Sequence, residues 1–596
     1  MSQPLPGASA AGARRAAPKR KRWGRWVALA LGLVVVAGLA AFAWDGWQLK
    51  SASAELRTHA AAAKAAVSNR DADALVGEVA AVQESAATFA KATSGPQWWV
   101  ASWIPWVKNQ TVPLQQAGDS VQAIADDALG PLAEMDDLSA LTVPAIVDGR
   151  IDPNVLEPYK ATLASSAAVF ATQQQALADV SLEGTISQVR EPFIQLRTEL
   201  GEMGETVQGA HVAAEVLPGM LGADGPRTYL VMVQNNAEPR ATGGIPGAVL
   251  EVSVDDGHIE LKRYVSANQM IDREGIDVPL TPDEENIFGG RMVKFPQATN
   301  FTPEYPRTAV LIEGFWKNEF GESVDGVVSV DPVALGYMLE GMEPLTVGKL
   351  TITGPTLAQV MLNESYLAYP DPADQDVFFT QASGVLFGVL AQGQTSAIAG
   401  TERAIDEHRF MVWSGHEDEQ QLLQTTTIAG GFLERADTLG VFVNDGSGSK
   451  IGYYIDSAAN VVNHMCADGS LGGQTLTVTL THTFDGSVAE LPWYISGGGQ
   501  YVPEGEFHAN VLLYPPNGEG VTKVTANGEA ISVAPQTHDG RRLATARIVL
   551  VPGETVTLEY QLTANQRGIL APSFQFTPGP KPQVNDLGVD YLGEGC

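Results

Sequence analysis

A chain of 596 residues, 44% hydrophobic and 18% charged, has a globular rather than a disordered balance and enough length for about three or four cores. A formal net charge of -32 repels phosphate backbones, so a nucleic-acid partner is not expected, and the acidic excess reads as a solvated surface. The two cysteines and the scattered histidines form no ligand-spaced cluster, so neither a metal nor a cofactor is expected.

The first 25 residues are a basic tail, with Arg14, Arg15, Lys19, Arg20, Lys21, Arg22 and Arg25 crowded together. Residues 26–44 then read WVALALGLVVVAGLAAFAW, without a charge and with tryptophan at both ends. About 20 helical residues cross a hydrocarbon core of roughly 30 Å, and aromatic ends suit the two interfaces. The basic flank precedes the run and Asp45 follows it, which predicts a single-pass helix with its N-terminus in the cytoplasm. A cleaved signal peptide is the rival reading, because Ala41-Phe42-Ala43 resembles a cleavage site. The run exceeds the usual apolar region of about 7–15 residues, which favours an uncleaved signal anchor. Either way, the remainder is exported.

Residues 45–222 are rich in Ala, Gln, Glu and Leu, with Leu75, Val79, Val82 and Phe89 at helical spacing. Breaks at Pro96, Pro105, Pro113 and residues 149–153 predict several antiparallel helices in a bundle or stalk. Residues 95–107, GPQWWVASWIPWV, carry Trp98, Trp99, Trp103 and Trp106. They either dip into a membrane interface or form a helix corner whose indoles fill the bundle core, and the corner is the expectation.

From 223 to 440, helical and strand patterns alternate. TYLVMVQ (228–234), GAVLEVSV (247–254) and HIELKRYV (258–265) read as strands, the last two joined by a turn at Asp255-Asp256-Gly257. Residues 306–320, 355–363 and 377–392 read as helices, and 324–331 as a buried strand followed by a helix capped by Asp331. This predicts a central α/β domain. Residues 441–571 carry alternating runs at 475–484, 508–516, 545–552 and 554–562, which predict a β-sandwich. Residues 572–596 read as an irregular tail. The expected fold class is therefore multi-domain α+β: an N-terminal transmembrane helix, an extracytoplasmic helical bundle, a central α/β domain and a C-terminal β-sandwich. Cys466 lies in a turn-like sequence and Cys596 ends the chain. A bridge between them would close a loop of about 130 residues and pin the tail, with an intermolecular bridge or two free thiols as the alternatives.

The most unusual local sequence is QNNAEPRATGGIPG, residues 234–247, between two strands. Asn235, Asn236, Arg240, Thr242, Gly243 and Gly244 bring polar groups and flexible backbone to a strand end, where ligand sites of open sheets often lie. By spacing alone, a tight structural turn is at least as good a reading as a ligand site. Asp371, Asp374 and Asp376 read as a solvated acidic loop rather than a cation site, and Asp445-Gly446-Ser447-Gly448 as a β-turn.

QNNAEPRATGG resembles the signature of the bacterial membrane-protein family called domain of unknown function 4012. ATNFTPEYPRTA (298–309), VDGVVSVDP (324–332) and NDGSGSKIGYYI (444–455) resemble further motifs of that family in the same order. The sequence departs at Glu304-Tyr305, where Asp-Phe is usual, and at Pro246. The resemblance implies a bacterial cell membrane location and an extracytoplasmic bulk. A fainter resemblance links residues 228–265, 306–341 and 353–357 to the LytR-CpsA-Psr family, which ligates glycopolymers from polyprenyl pyrophosphate carriers onto the cell wall. In that family arginines follow the last segment and grip the pyrophosphate. Here 362–379 reads LNESYLAYPDPADQDVFF, with no arginine. The expected function is thus a binding or scaffold factor in envelope glycopolymer assembly, with the membrane, lipid-linked glycan or envelope proteins as partners. The alternative is a phosphotransferase acting on polyprenyl-pyrophosphate-linked glycans, with Arg240 as its phosphate-binding residue.

Overall fold

Alanine, leucine and glutamine favour helix, and the chain opens with α1, Trp23–Asn69, and α2, Ala72–Thr93. The computed structural model describes the backbone from residue 23, except at 70, 136–145, 147–148, 394–396, 467–470, 565–572 and 592–596. It describes side chains from Phe42, apart from some near those stretches. Among the residues described with side chains no helix is long and apolar enough to cross a membrane; the uncharged run as far as Ala41 lies outside those residues.

Asp71 caps α2, accepting a hydrogen bond from the Ala74 amide at 3.0 Å. The contacts of His59 with Glu78 and of Asp45 with Trp98 show α2 running back along α1. Pro96 and Pro105 occupy the first positions of α3, Pro96–Ala101, and α4, Pro105–Ile124, where a missing amide costs little. Pro113, by contrast, lies inside α4 rather than breaking the run. The carbonyl it deprives of a partner, that of Asn109, accepts from Thr185 Oγ1 at 3.1 Å. Helices Lys160–Ala178 and Ser187–Met220 complete the bundle. Leu75, Val79, Val82 and Phe89 are all buried, as their spacing predicts.

The corner after α2 departs from its expectation. Only Trp98 enters the core, whereas Trp99, Trp103 and Trp106 are 62%, 72% and 64% exposed. A helix of six residues such as α3 has one inner edge, and Trp98 and Ala101 fill it.

Helix Ser187–Met220 joins the bundle to the central domain, where Val212 and Val216 pack with Val412, Leu423 and Ala429. The central sheet contains β1, Arg227–Arg240, β2, Gly243–Asp255, β3, His258–Ser266, and β4, Gly326–Val330. Its order is β3-β2-β1-β4, with Met411–Ser414 at the far edge. β4 runs parallel to β1 and the other neighbours are antiparallel. Helix Tyr305–Phe320 covers the sheet with Tyr305, Leu311, Ile312, Phe315 and Trp316. Asp331 caps the next helix, accepting from the Ala334 amide at 2.8 Å.

The C-terminal half is a two-sheet sandwich. One sheet orders Glu529–Ala530, Gly520–Ala526, Thr555–Thr563, Leu471–His482, Ile455–Met465 and Val584–Tyr591. The other orders Ala534–His538, Arg541–Leu550, Phe507–Tyr514, Leu439–Asp445 and Phe574–Phe576. Alternate residues of both, among them Val441, Leu476, Val511 and Leu558, share one core. The tail expected to be irregular supplies an edge strand to each sheet, both parallel to their neighbours. Edge strands satisfy backbone groups on one side only, so they form from short runs amid proline and glycine.

Glu519 precedes Gly520–Ala526 and is 1% exposed. Its Oε2 has no hydrogen-bond partner among the described residues. Burial pushes this carboxyl up to about 7. A raised folded-state carboxyl leaves the fold unpenalised below the unfolded value and costs stability as pH rises through the folded one. Replacing Glu519 by Gln should therefore leave the melting temperature unchanged near pH 4. It should raise stability by on the order of 1 kcal/mol at pH 8, after allowance for solvent screening. Melts across that range would show the gap opening with pH, and a constant gap would refute the assignment.

Candidate functional site

The signature residues 234–247 are mostly strand. β1 and β2 run through them and leave only Ala241 and Thr242 as the turn, with irregularities of register beside Gln234 and between Asn235 and Pro239. Gly244 is required there, because a side chain on it would run into the Asn235 backbone at 2.2 Å. Gly243 adopts a φ of 138°, open to glycine but strained for other residues.

This hairpin end lies beneath the sandwich, and most of its polar groups bond to protein, Asn236 Oδ1 being buried without a partner among the described residues. Gln234 Nε2 donates to the Thr242 carbonyl at 3.0 Å and to Ser329 Oγ at 2.6 Å. Its Oε1 accepts from Thr242 Oγ1, the Gly244 amide and Asn300 Nδ2. Asn235 donates to the Tyr366 hydroxyl at 2.8 Å. Asn236 donates to Asp331 Oδ2 at 2.9 Å and to the Pro578 carbonyl at 3.2 Å. The turn itself is held from the other side: the Ala241 amide donates to Asn444 Oδ1, and its carbonyl accepts from Thr577 Oγ1.

Arg240, expected to be an exposed phosphate-binding group in the enzymatic alternative, is 7% exposed. It donates to the carbonyls of Gln297, Pro239 and Asp445, and its guanidinium lies 4.9 Å from the centre of the Phe301 ring. The Asp445 carboxylate is 3.9 Å away. Burial pushes that carboxyl up to about 6 against the pull of Arg240. Asp445 also accepts from the amides of Ser447 and Gly448, so the stretch 445–448, predicted to be a β-turn, is a bend closed by the Asp445 side chain. Beside it, Lys450 pairs with Glu238 and lies over the Tyr366 ring. Burial alone would raise the Glu238 carboxyl, but Lys450 and Arg240 hold it below its ordinary value.

A second charged group lies at the same joint. Arg409 and Asp331, each 1% exposed, pair at 2.7 Å. Arg409 also bonds Glu407 and the Gly579 carbonyl. Asp331 thus serves a helix cap, an arginine and Asn236 at once. Glu304, where the sequence departs from the family pattern, accepts from the amides of Phe432 and Leu433 and ties the chain entering the sandwich. Asp371 caps the helix that begins at Pro372. A small crevice between Pro239, Gly452, Phe507, Phe576, Gly579 and Gln583 has room for about one water molecule.

All six singled-out residues therefore meet at one place. Asp331 was found in the sequence only as a helix cap. Arg409 and Thr577–Gly579 carried no local signal, because their partners lie far off in the chain. The arrangement defines an α+β sheet domain whose polar hairpin end is sealed by a following β-sandwich. Residues 224–366, about a quarter of the chain, match the family described as protein of unknown function (DUF4012). No curated protein and no solved structure matches the chain.

Arg240→Ala leaves Asp445 and three carbonyls short of a buried donor, and should cost about 2–4 kcal/mol. Arg409→Met strands Asp331 and should cost about 3–5 kcal/mol. Thermal melts of the purified chain check both, and a melting temperature equal to the parent's would remove either residue from the joint.

Proposed function

We propose that the protein is a single-pass, membrane-anchored scaffold or binding factor of the bacterial envelope, with its bulk extracytoplasmic and its task in glycopolymer assembly. The commitment of Arg240 to the joint carries this reading. A guanidinium that already serves three carbonyls and faces Asp445 is poorly placed to grip a pyrophosphate. The arginine-free stretch 362–379 points the same way. Joined in this manner, the central domain and sandwich form one stiff body suited to holding partners at a fixed distance from the membrane. A LytR-CpsA-Psr-like fold and phosphotransfer on polyprenyl-pyrophosphate-linked glycans form the alternative. The mixed sheet with a covering helix is compatible with it. Incubated with such a glycan donor, the full chain should release no polyprenyl phosphate. Release that disappears in Arg240→Lys, with folding intact, would replace the scaffold by the ligase.

The anchor and the disulfide belong to the same proposal. The uncharged run 26–44 and its basic flank support export of everything beyond it. Cys596 lies outside the described residues, but strand Val584–Tyr591 runs parallel to Ile455–Met465 and pairs Tyr591 with Met465. Met465 adjoins the buried Cys466, and Tyr591 is five residues from Cys596, which supports a bridge. In intact spheroplasts a membrane-impermeant maleimide should label both cysteines only after reduction and denaturation. Labelling of both after denaturation alone would disprove the bridge, and no labelling of a reduced chain until the membrane is breached would disprove the topology.

A further inference from the structure

The exposed tryptophans have no role in the joint or the bundle core. Between Lys91 and Lys108 the chain carries no charge. Within that stretch Trp99, Val100, Trp103, Ile104 and Trp106 are each more than half exposed, and the Trp99 and Trp103 rings meet edge-on at 5.0 Å. An exposed patch of this kind marks a surface that something apolar covers.

Its position shows what. The 22 residues of α2 retrace about 33 Å of α1, which returns the corner to the level where the uncharged run ends. Asp45, the first charge after that run, is buried and locks the corner there. It accepts from Gln97 Nε2 at 2.6 Å and from Trp98 Nε1 at 2.9 Å. Phe42 meets the Trp98 ring at 5.3 Å. Trp44 and Trp47, 61% and 62% exposed, stand on α1 at the same level. Indoles, with an apolar body and one N–H, suit the boundary between headgroups and acyl chains, and lysines on either side can reach water.

We propose that the corner from Ser94 to Trp106 is a second, non-spanning membrane anchor, with Trp99, Trp103 and Trp106 seated in the outer headgroup layer of the bilayer. The inference rests on the anchor proposed above. It adds that the bundle is held against the membrane at two points, which fixes its tilt rather than leaving it to swivel on one helix.

The test uses the full chain reconstituted into phosphatidylcholine vesicles whose acyl chains carry bromine near the glycerol end. The parent's tryptophan emission should be quenched. In the combined variant Trp99→Phe, Trp103→Phe, Trp106→Phe, the quenched intensity should fall by about a third to a half, the remainder coming from tryptophans on α1. Quenching of the parent with an equal quenched intensity in the variant would overturn the second anchor and leave the first standing. A parent without quenching would instead overturn the first anchor, and this inference with it. A dimer in the vesicles, dissolved by serine at the same three positions with quenching unchanged, would seat a second copy on the patch and also overturn the proposal.

Discussion

The buried pair of Asp331 and Arg409 sits where the ends of neighbouring strands of the central sheet, a helix cap and the C-terminal tail converge. Withdrawing two charges from water costs several kcal/mol each, and their mutual attraction offsets this only when the remaining donors and acceptors are also satisfied. Here the carboxylate accepts from the Ala334 amide and Asn236, and the guanidinium also reaches Glu407 and the Gly579 carbonyl. The strand end, the helix cap, the sheet edge and the C-terminal tail are thereby fixed to one geometry. An apolar contact of similar area would tolerate sliding, whereas this network accepts one docking of sandwich on sheet.

The second charged group works alongside it. Glu238 and Lys450 face each other across the interface, with the Lys450 ammonium over the Tyr366 ring. Tyr366 also belongs to the sandwich core, although it lies within the central domain in the chain. The family segment therefore ends on a residue already packed into the next domain. The signature's density of amide, guanidinium and glycine groups is accounted for by this joint: many hydrogen bonds in little space, with Gly244 allowing the two strands to close over Asn235.

Much of the architecture was legible in local sequence. Period-two runs marked the sandwich strands, Leu75, Val79 and Val82 marked a buried helix face, and Asp331 before Pro332 marked a cap. What escaped depends on partners distant in the chain. Pro113 reads as a breaker unless Thr185 is known to satisfy the Asn109 carbonyl. Phe574–Phe576 is too short to register as a strand alone, and Val584–Tyr591, VNDLGVDY, is too polar and is interrupted by glycine. The six site residues share one hairpin end, yet nothing local tells a ligand site from an internal joint. That distinction lies in Asn444, Asp445 and Thr577, some 200 to 340 residues away. The tryptophan corner failed for a different reason, because composition gives the appetite for burial but not the partner.

The tail contact has a consequence for the order in which the molecule can be made. Asn236 and the Pro578 carbonyl are 342 residues apart, so the polar end of the first hairpin waits, unsealed, while the rest of the chain is synthesised. At usual elongation rates that interval is on the order of tens of seconds. Through it the nascent sheet carries polar groups without their final partners, and closing so long a loop is slow even once the last residues emerge. Vectorial synthesis thus makes the segment Thr577–Gly579 the one that completes the joint, and a chain stopped soon after Thr563 would leave its oldest strand unfinished.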